Sequence, residues 1–69
     1  ESMKQHKDWF DRVSGNRSMR SVAASLDMSS GNLSKWLNEN KLSAEKVIDI
    51  AYELDTDPVQ ALYETGYLR

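Results

Sequence analysis

The chain of 69 residues has no cysteine, one proline, one histidine and no long apolar run. Without cysteine, no disulfide can staple the fold. The lone histidine, His6, has neither a second histidine nor a nucleophile beside it, so it reads as an exposed helix residue rather than a metal ligand or catalytic base. No stretch has the length needed to cross a bilayer or resembles a secretory signal, so the expectation is a cytoplasmic protein without a membrane partner. At this size the chain is expected to form one small domain, built on a single core of short helices.

Charge is nearly balanced, with 9 Lys and Arg against 11 Asp and Glu. A net charge of -2 argues against a generic nucleic-acid binder, which is usually basic. The charge is unevenly spread, however. Residues 1–46 hold eight cations against six anions, a net of +2, while residues 47–69 hold one against five, a net of -4. A basic front and an acidic back are compatible with docking on DNA through one side only.

Helical periodicity recurs along the whole chain, giving an all-α expectation of five helices over residues 3–14, 19–26, 30–38, 44–54 and 58–65. Glu1 and Ser2 precede Met3 and read as additions to the chain, although Ser2 would also serve as a cap with Gln5 at the capping-box position. The first helix carries Phe10 and Val13 inward, with Trp9 partly buried, and stops at Gly15-Asn16. Ser18, Ser29 and Ser43 each stand where a helix N-cap is needed, so the serines read as caps rather than nucleophiles. Ala44, Val47, Ile48, Ala51 and Leu54 form the expected core face of the fourth helix, while Glu45, Asp49 and Glu53 form its solvated face. Asp57 and Pro58 open the fifth helix as cap and first residue, and Val59 and Leu62 are expected to dock on the core.

The stretch from Ser18 to Asn38 organises the rest. Two short helical patterns are separated by Asp27 to Ser29, a connection short enough to send the second helix off at a steep angle, as in a helix-turn-helix. Val22, Ala23 and Leu26 face inward from the first helix of the pair, and Leu33, Trp36 and Leu37 from the second, with Ala23 small enough for a close helix crossing. At about 100° per residue, that second stripe leaves Gly31, Lys35 and Asn38 opposite, flanked by Asn32 and Ser34. Such a face either is simply solvated or enters a major groove and reads base edges.

The run V-A-A-S-L-D-M-S-S-G-N-L-S-K-W-L resembles the helix-turn-helix of the phage lambda repressor-like family. Val22-Ala23, Leu26, Met28, Ser29, Leu33-Ser34 and Trp36 fall on the positions of the family pattern. Asp27 stands where the family prefers glycine, and Asp is one of the few other residues that visits left-handed backbone angles. Met19 stands where many members carry a glutamine that touches DNA. The resemblance implies a five-helix lambda repressor-like DNA-binding domain of a phage or bacterial transcriptional repressor, with double-stranded DNA as partner. It implies base contacts from Ser30, Gly31, Asn32, Ser34 and Lys35, with Asn32 suited to adenine and Lys35 to guanine. Phosphate contacts are expected from Arg17, Ser18, Arg20 and Ser29 near the helix starts, and from Asn38, Asn40 and Lys41 in the loop after the recognition helix. Without the resemblance, the arginines are solvated surface residues and the loop is a polar turn.

Tyr63, Tyr67 and Leu68 exceed what one short helix can bury. They either fold back on the first or fourth helix or, as the resemblance implies, pair two copies weakly through the fifth. No cofactor, metal or small-molecule substrate is implied, and no catalytic constellation is present. The alternative to DNA binding is an antitoxin or protein-interaction module that keeps the same fold.

Overall fold

The structure, a computed structural model, describes residues 5–68. Met3, Lys4 and the Ser2 cap lie outside the described residues. Five helices follow in order: α1 Gln5–Ser14, α2 Met19–Ser25, α3 Ser30–Asn38, α4 Ala44–Glu53 and α5 Pro58–Glu64. Among the described residues there is no strand. α2, α4 and α5 each end one residue earlier than the periodicity predicts, because Leu26, Leu54 and Thr65 are half-in C-cap residues.

Each helix start from α2 onward is fixed by its own side-chain cap. Ser18 Oγ accepts the Ser21 N–H at 3.1 Å, Ser29 Oγ that of Asn32 at 3.0 Å and Ser43 Oγ that of Lys46 at 3.2 Å. Asp57 Oδ1 accepts the Val59 N–H at 2.9 Å. Each bond satisfies an otherwise orphaned donor and contributes about 1 kcal/mol.

The helix ends are equally local. Asp27, Asn40 and Asp55 adopt φ of 58°, 57° and 57°, and Gly66 a φ of 93°. Behind Asp27, the Met28 N–H reaches back to Ala23 O at 3.0 Å and the Asp27 N–H to Ala24 O at 3.1 Å. That pair of bonds is a Schellman motif, and it recurs at Asn40-Lys41, Asp55-Thr56 and Gly66-Tyr67. Three of these four stops use Asp or Asn, whose short polar side chains tolerate the left-handed region better than other non-glycine residues.

One buried cluster draws on every helix: Trp9 and Phe10, Val22 and Ala23, Leu33 and Leu37, then Val47, Ile50 and Ala51, and Ala61, with Leu42 inserted from the α3–α4 loop. Trp9 is fully enclosed rather than partly so. In α4 the buried stripe is Val47, Ile50 and Ala51, while Ala44, Ile48 and the C-cap Leu54 are half-buried. Val59 departs from expectation, being 62% exposed. α5 instead turns its small Ala61 inward, and that lack of bulk lets it pack closely on α4, with which it makes its main contact.

Candidate nucleic-acid interface

α2 and α3 pack against each other across the turn Leu26-Asp27-Met28-Ser29. Asp27 supplies the left-handed residue of this turn, while Met28 and Leu26 pack against the core. Leu33 and Leu37 are fully buried and Trp36 half-buried, which fixes the rotation of α3 about its axis. The opposite face presents Gly31, Asn32, Lys35 and Asn38 to solvent, with Ser30 and Ser34 half-buried at its edges. This face carries no carboxylate and no bulky apolar side chain. The first turns of α2 and α3 contain no acidic residue either, so their positive dipole ends are uncompensated by their own side chains.

Gly31 has no internal reason to be glycine. A Cβ built there meets nothing within 4 Å, and its φ is not left-handed. Glycine in a helix costs up to about 1 kcal/mol relative to alanine. Nothing within the fold offsets that cost, whereas close approach of another molecule to the backbone would. Asn38 donates to Ser34 Oγ at 3.4 Å. The Asn32 amide and the Lys35 ammonium engage no other side chain among the described residues.

The structure separates the expected phosphate contacts. Ser18 and Ser29 are exposed caps, and Arg20 is exposed on the first turn of α2. Arg17 is engaged: it donates to Ser21 Oγ at 3.0 Å and Ser25 Oγ at 3.3 Å, and pairs with Glu53 Oε2 at 3.2 Å. Asn40 is also committed, its Oδ1 accepting the His6 backbone N–H at 3.1 Å. Lys41 is exposed, with only a loose contact of 3.6 Å to Glu39. A groove of about 360 Å³ beside it is lined by Trp36, Lys41, Ser43 and Lys46. Lys41 and Lys46 both border this groove, near the start of α4. Lys46 was not among the residues expected from the sequence, although its place three residues after a capping serine was a usable signal.

His6 is buried, contrary to the expectation of an exposed residue. Its Nδ1 accepts the Leu42 N–H at 3.2 Å, and its Nε2 lies 3.2 Å from the Thr65 carbonyl. An amide can only donate, so Nδ1 is bare and the proton sits on Nε2, which donates to Thr65. Burial pushes the imidazole below its ordinary value of 6.5, opposed by the bond to Thr65. Tyr67 packs against the ring at a tilt of 34° with centroids 5.7 Å apart, and its hydroxyl donates to the Leu42 carbonyl. Of the three C-terminal apolar residues, Tyr67 therefore folds back on its own chain. Tyr63 and Leu68 stay exposed around a surface groove shared with Gln5, Glu64 and Gly66.

Among the described residues, no group of His, Asp and Glu side chains is arranged to hold a metal ion, and no helix is long and apolar enough to cross a membrane. No protein-family model, curated protein or solved structure matches the chain.

Proposed function

We propose that this chain is a sequence-specific double-stranded DNA-binding domain of the lambda repressor-like type, serving a phage or bacterial transcriptional repressor. The observation that carries the reading is the outward face of α3, where Gly31, Asn32, Lys35 and Asn38 are exposed without a carboxylate, although the chain as a whole has a net charge of -2. A helix with such a face fits a major groove, where an asparagine amide pairs bidentately with adenine and a lysine with guanine. Gly31 would let the start of the helix approach base edges closely. Lys41, Lys46 and Arg20 would take phosphates on either side, which orients the helix without reading sequence. The acidic segment after residue 46 would then face away from the duplex.

The decisive experiment is fluorescence anisotropy with a labelled random duplex over a salt series, followed by selection from randomised duplexes. Binding should weaken steeply with salt, at about 0.9 log units per log unit of salt for each phosphate neutralised, and selection should enrich a short site. Salt-independent binding, or a pool that stays random, would reject the reading.

A second reading is a protein-interaction module such as an antitoxin. It is favoured by the position of the exposed large apolar residues, Tyr52, Val59, Tyr63, Tyr67 and Leu68, all in the last quarter of the chain. Under that reading, duplex affinity stays at the non-specific level, about 10⁻⁴ to 10⁻⁶ M.

A further inference from the structure

His6 joins three parts of the chain that are far apart in sequence. Its backbone N–H is held by Asn40 Oδ1, its Nδ1 by the Leu42 N–H, and its Nε2–H by the Thr65 carbonyl. Tyr67 completes the arrangement, packing tilted against the ring and donating to the Leu42 carbonyl. Both bonds to Leu42 and the bond to Asn40 fall on the segment that displays Lys41. That lysine is exposed, and its own side chain makes only the 3.6 Å contact with Glu39. The Schellman bonds of Asn40 and Lys41 to α3 hold the start of the loop, and its onward course is set by the buried Leu42 and, from beneath, by His6 and Tyr67.

From this geometry we infer that His6 is a positioning residue for the Lys41 loop, and that protonating it releases the loop and weakens duplex binding. Protonation would place a hydrogen on Nδ1, turn the acceptor of the Leu42 N–H into a donor, and leave two donors facing each other. The amide would lose its partner in a buried place, where an unmet donor is expensive. Among the described residues, the ring's hydrogen-bond partners are the Leu42 N–H and the Thr65 carbonyl, and no carboxylate is hydrogen-bonded to it to compensate the new charge. From the C-terminal segment the facing group is the Tyr67 phenol. Glu64 of α5 is taken up by Arg12 and Gln60. Glu39 and Lys41, at the end of α3 and in the loop, face each other. On α1 itself Lys7 pairs with Asp11, and the residues three and four places on from His6 are the buried Trp9 and Phe10. The depressed titration of His6 is consistent with this arrangement.

The inference rests on the DNA-binding reading for its functional readout but not for its structural one. The experiment is an NMR pH titration of the whole chain, alone and with a random duplex, alongside anisotropy from pH 7.5 down to 5, with circular dichroism reporting the fold. The His6 ring should titrate below the ordinary histidine value together with the Leu42 and Lys41 amides. Duplex affinity should then fall by about tenfold for each pKa unit separating the bound and free titrations of His6. General protonation of carboxylates acts in the opposite sense, strengthening binding to a polyanion as pH falls, so the sign alone discriminates. His6→Asn offers a non-titrating acceptor near the Nδ1 position, and its affinity should be independent of pH over this range apart from that opposite drift.

Three results would overturn the inference: a His6 titration that leaves the Leu42 amide unmoved, an affinity that rises as pH falls in the wild type, or the same falling profile in His6→Asn. If His6→Asn does not fold, the wild-type amide titration decides. If no duplex binds at any pH, the DNA reading fails while the Leu42 response still tests the positioning role.

Discussion

Arg17 lies across the outer face of α2 and reaches Glu53 at the end of α4, with Nη2 3.2 Å from Oε2. Two serine hydroxyls on α2, Ser21 and Ser25, hold the same guanidinium in place. This arrangement ties α2 to α4 and draws one of the basic residues near the proposed interface towards the acidic part of the chain. The pair is partly solvated, so its worth is modest, within about 1 kcal/mol. Arg17→Ala should therefore lower stability by no more than about that amount and leave the salt dependence of duplex binding unchanged. Lys41→Ala should reduce the salt slope by about 0.9 and weaken specific and random duplexes equally. Chemical denaturation and anisotropy over a salt series measure both effects, and a reduced slope in Arg17→Ala would mean that Arg17 leaves Glu53 on binding.

Asp27 holds a left-handed backbone with no glycine to ease it. Replacing it with glycine should be neutral or stabilising by up to about 1 kcal/mol, while a β-branched valine there should be clearly destabilising. Thermal melts of Asp27→Gly and Asp27→Val compare the two directly, and equal midpoints would contradict the turn geometry.

Gly31 sets stability against function. Because a Cβ at this site meets nothing, Gly31→Ala should stabilise the isolated chain by up to about 1 kcal/mol. The same methyl group would stand between the start of α3 and a bound duplex, so selected-site affinity should fall even as the melting temperature rises. A variant that is more stable and binds equally well would show that the glycine is not kept for close approach.

Acid should destabilise the fold through His6. Its folded-state titration lies below the ordinary value of 6.5, so the unfolded chain binds the proton more readily. The stability tied to neutral His6 is complete above pH 6.5 and is lost as pH falls from there through the depressed folded value. Glu64, also depressed by its bonds to Gln60 and Arg12, acts in the same direction below its ordinary value of 4.5. Urea midpoints measured from pH 7.5 to 4 should show the His6 loss first, and His6→Asn should remove that first step alone.

Self-association should be weak, and it should not pass through Tyr67, which is engaged with His6 and Leu42. Val59 and Tyr63, one turn apart on α5 and 62% and 60% exposed, remain available with the exposed Leu68 to meet a second copy. Sedimentation should show a monomer or weak dimer, strengthened on a two-site palindromic duplex by high effective concentration. Tyr63→Asp should abolish that pairing while the fold persists. Tyr67→Asp, by contrast, should lower stability, and pairing that survives Tyr63→Asp would move the contact away from α5.

The sequence by itself determined what is local. Capping by Ser18, Ser29, Ser43 and Asp57, the left-handed Asp27 and the inward stripe of α3 each depend on residues within about one helical turn, where spacing and side-chain chemistry suffice. For the same reason the expected face of α3 coincides with its exposed face. Only the tertiary structure decided the rest. His6 is buried because groups 36 and 59 residues away supply partners for both ring nitrogens, a pairing that no periodicity announces. Arg17 meets a carboxylate 36 residues distant, and Asn40 accepts the backbone N–H of His6, 34 residues before it. Val59, expected in the core, is exposed and Ala61 is buried in α5 instead, because close packing of α5 on α4 rewards the smaller side chain, and which helix faces are brought that close is a property of the assembled fold.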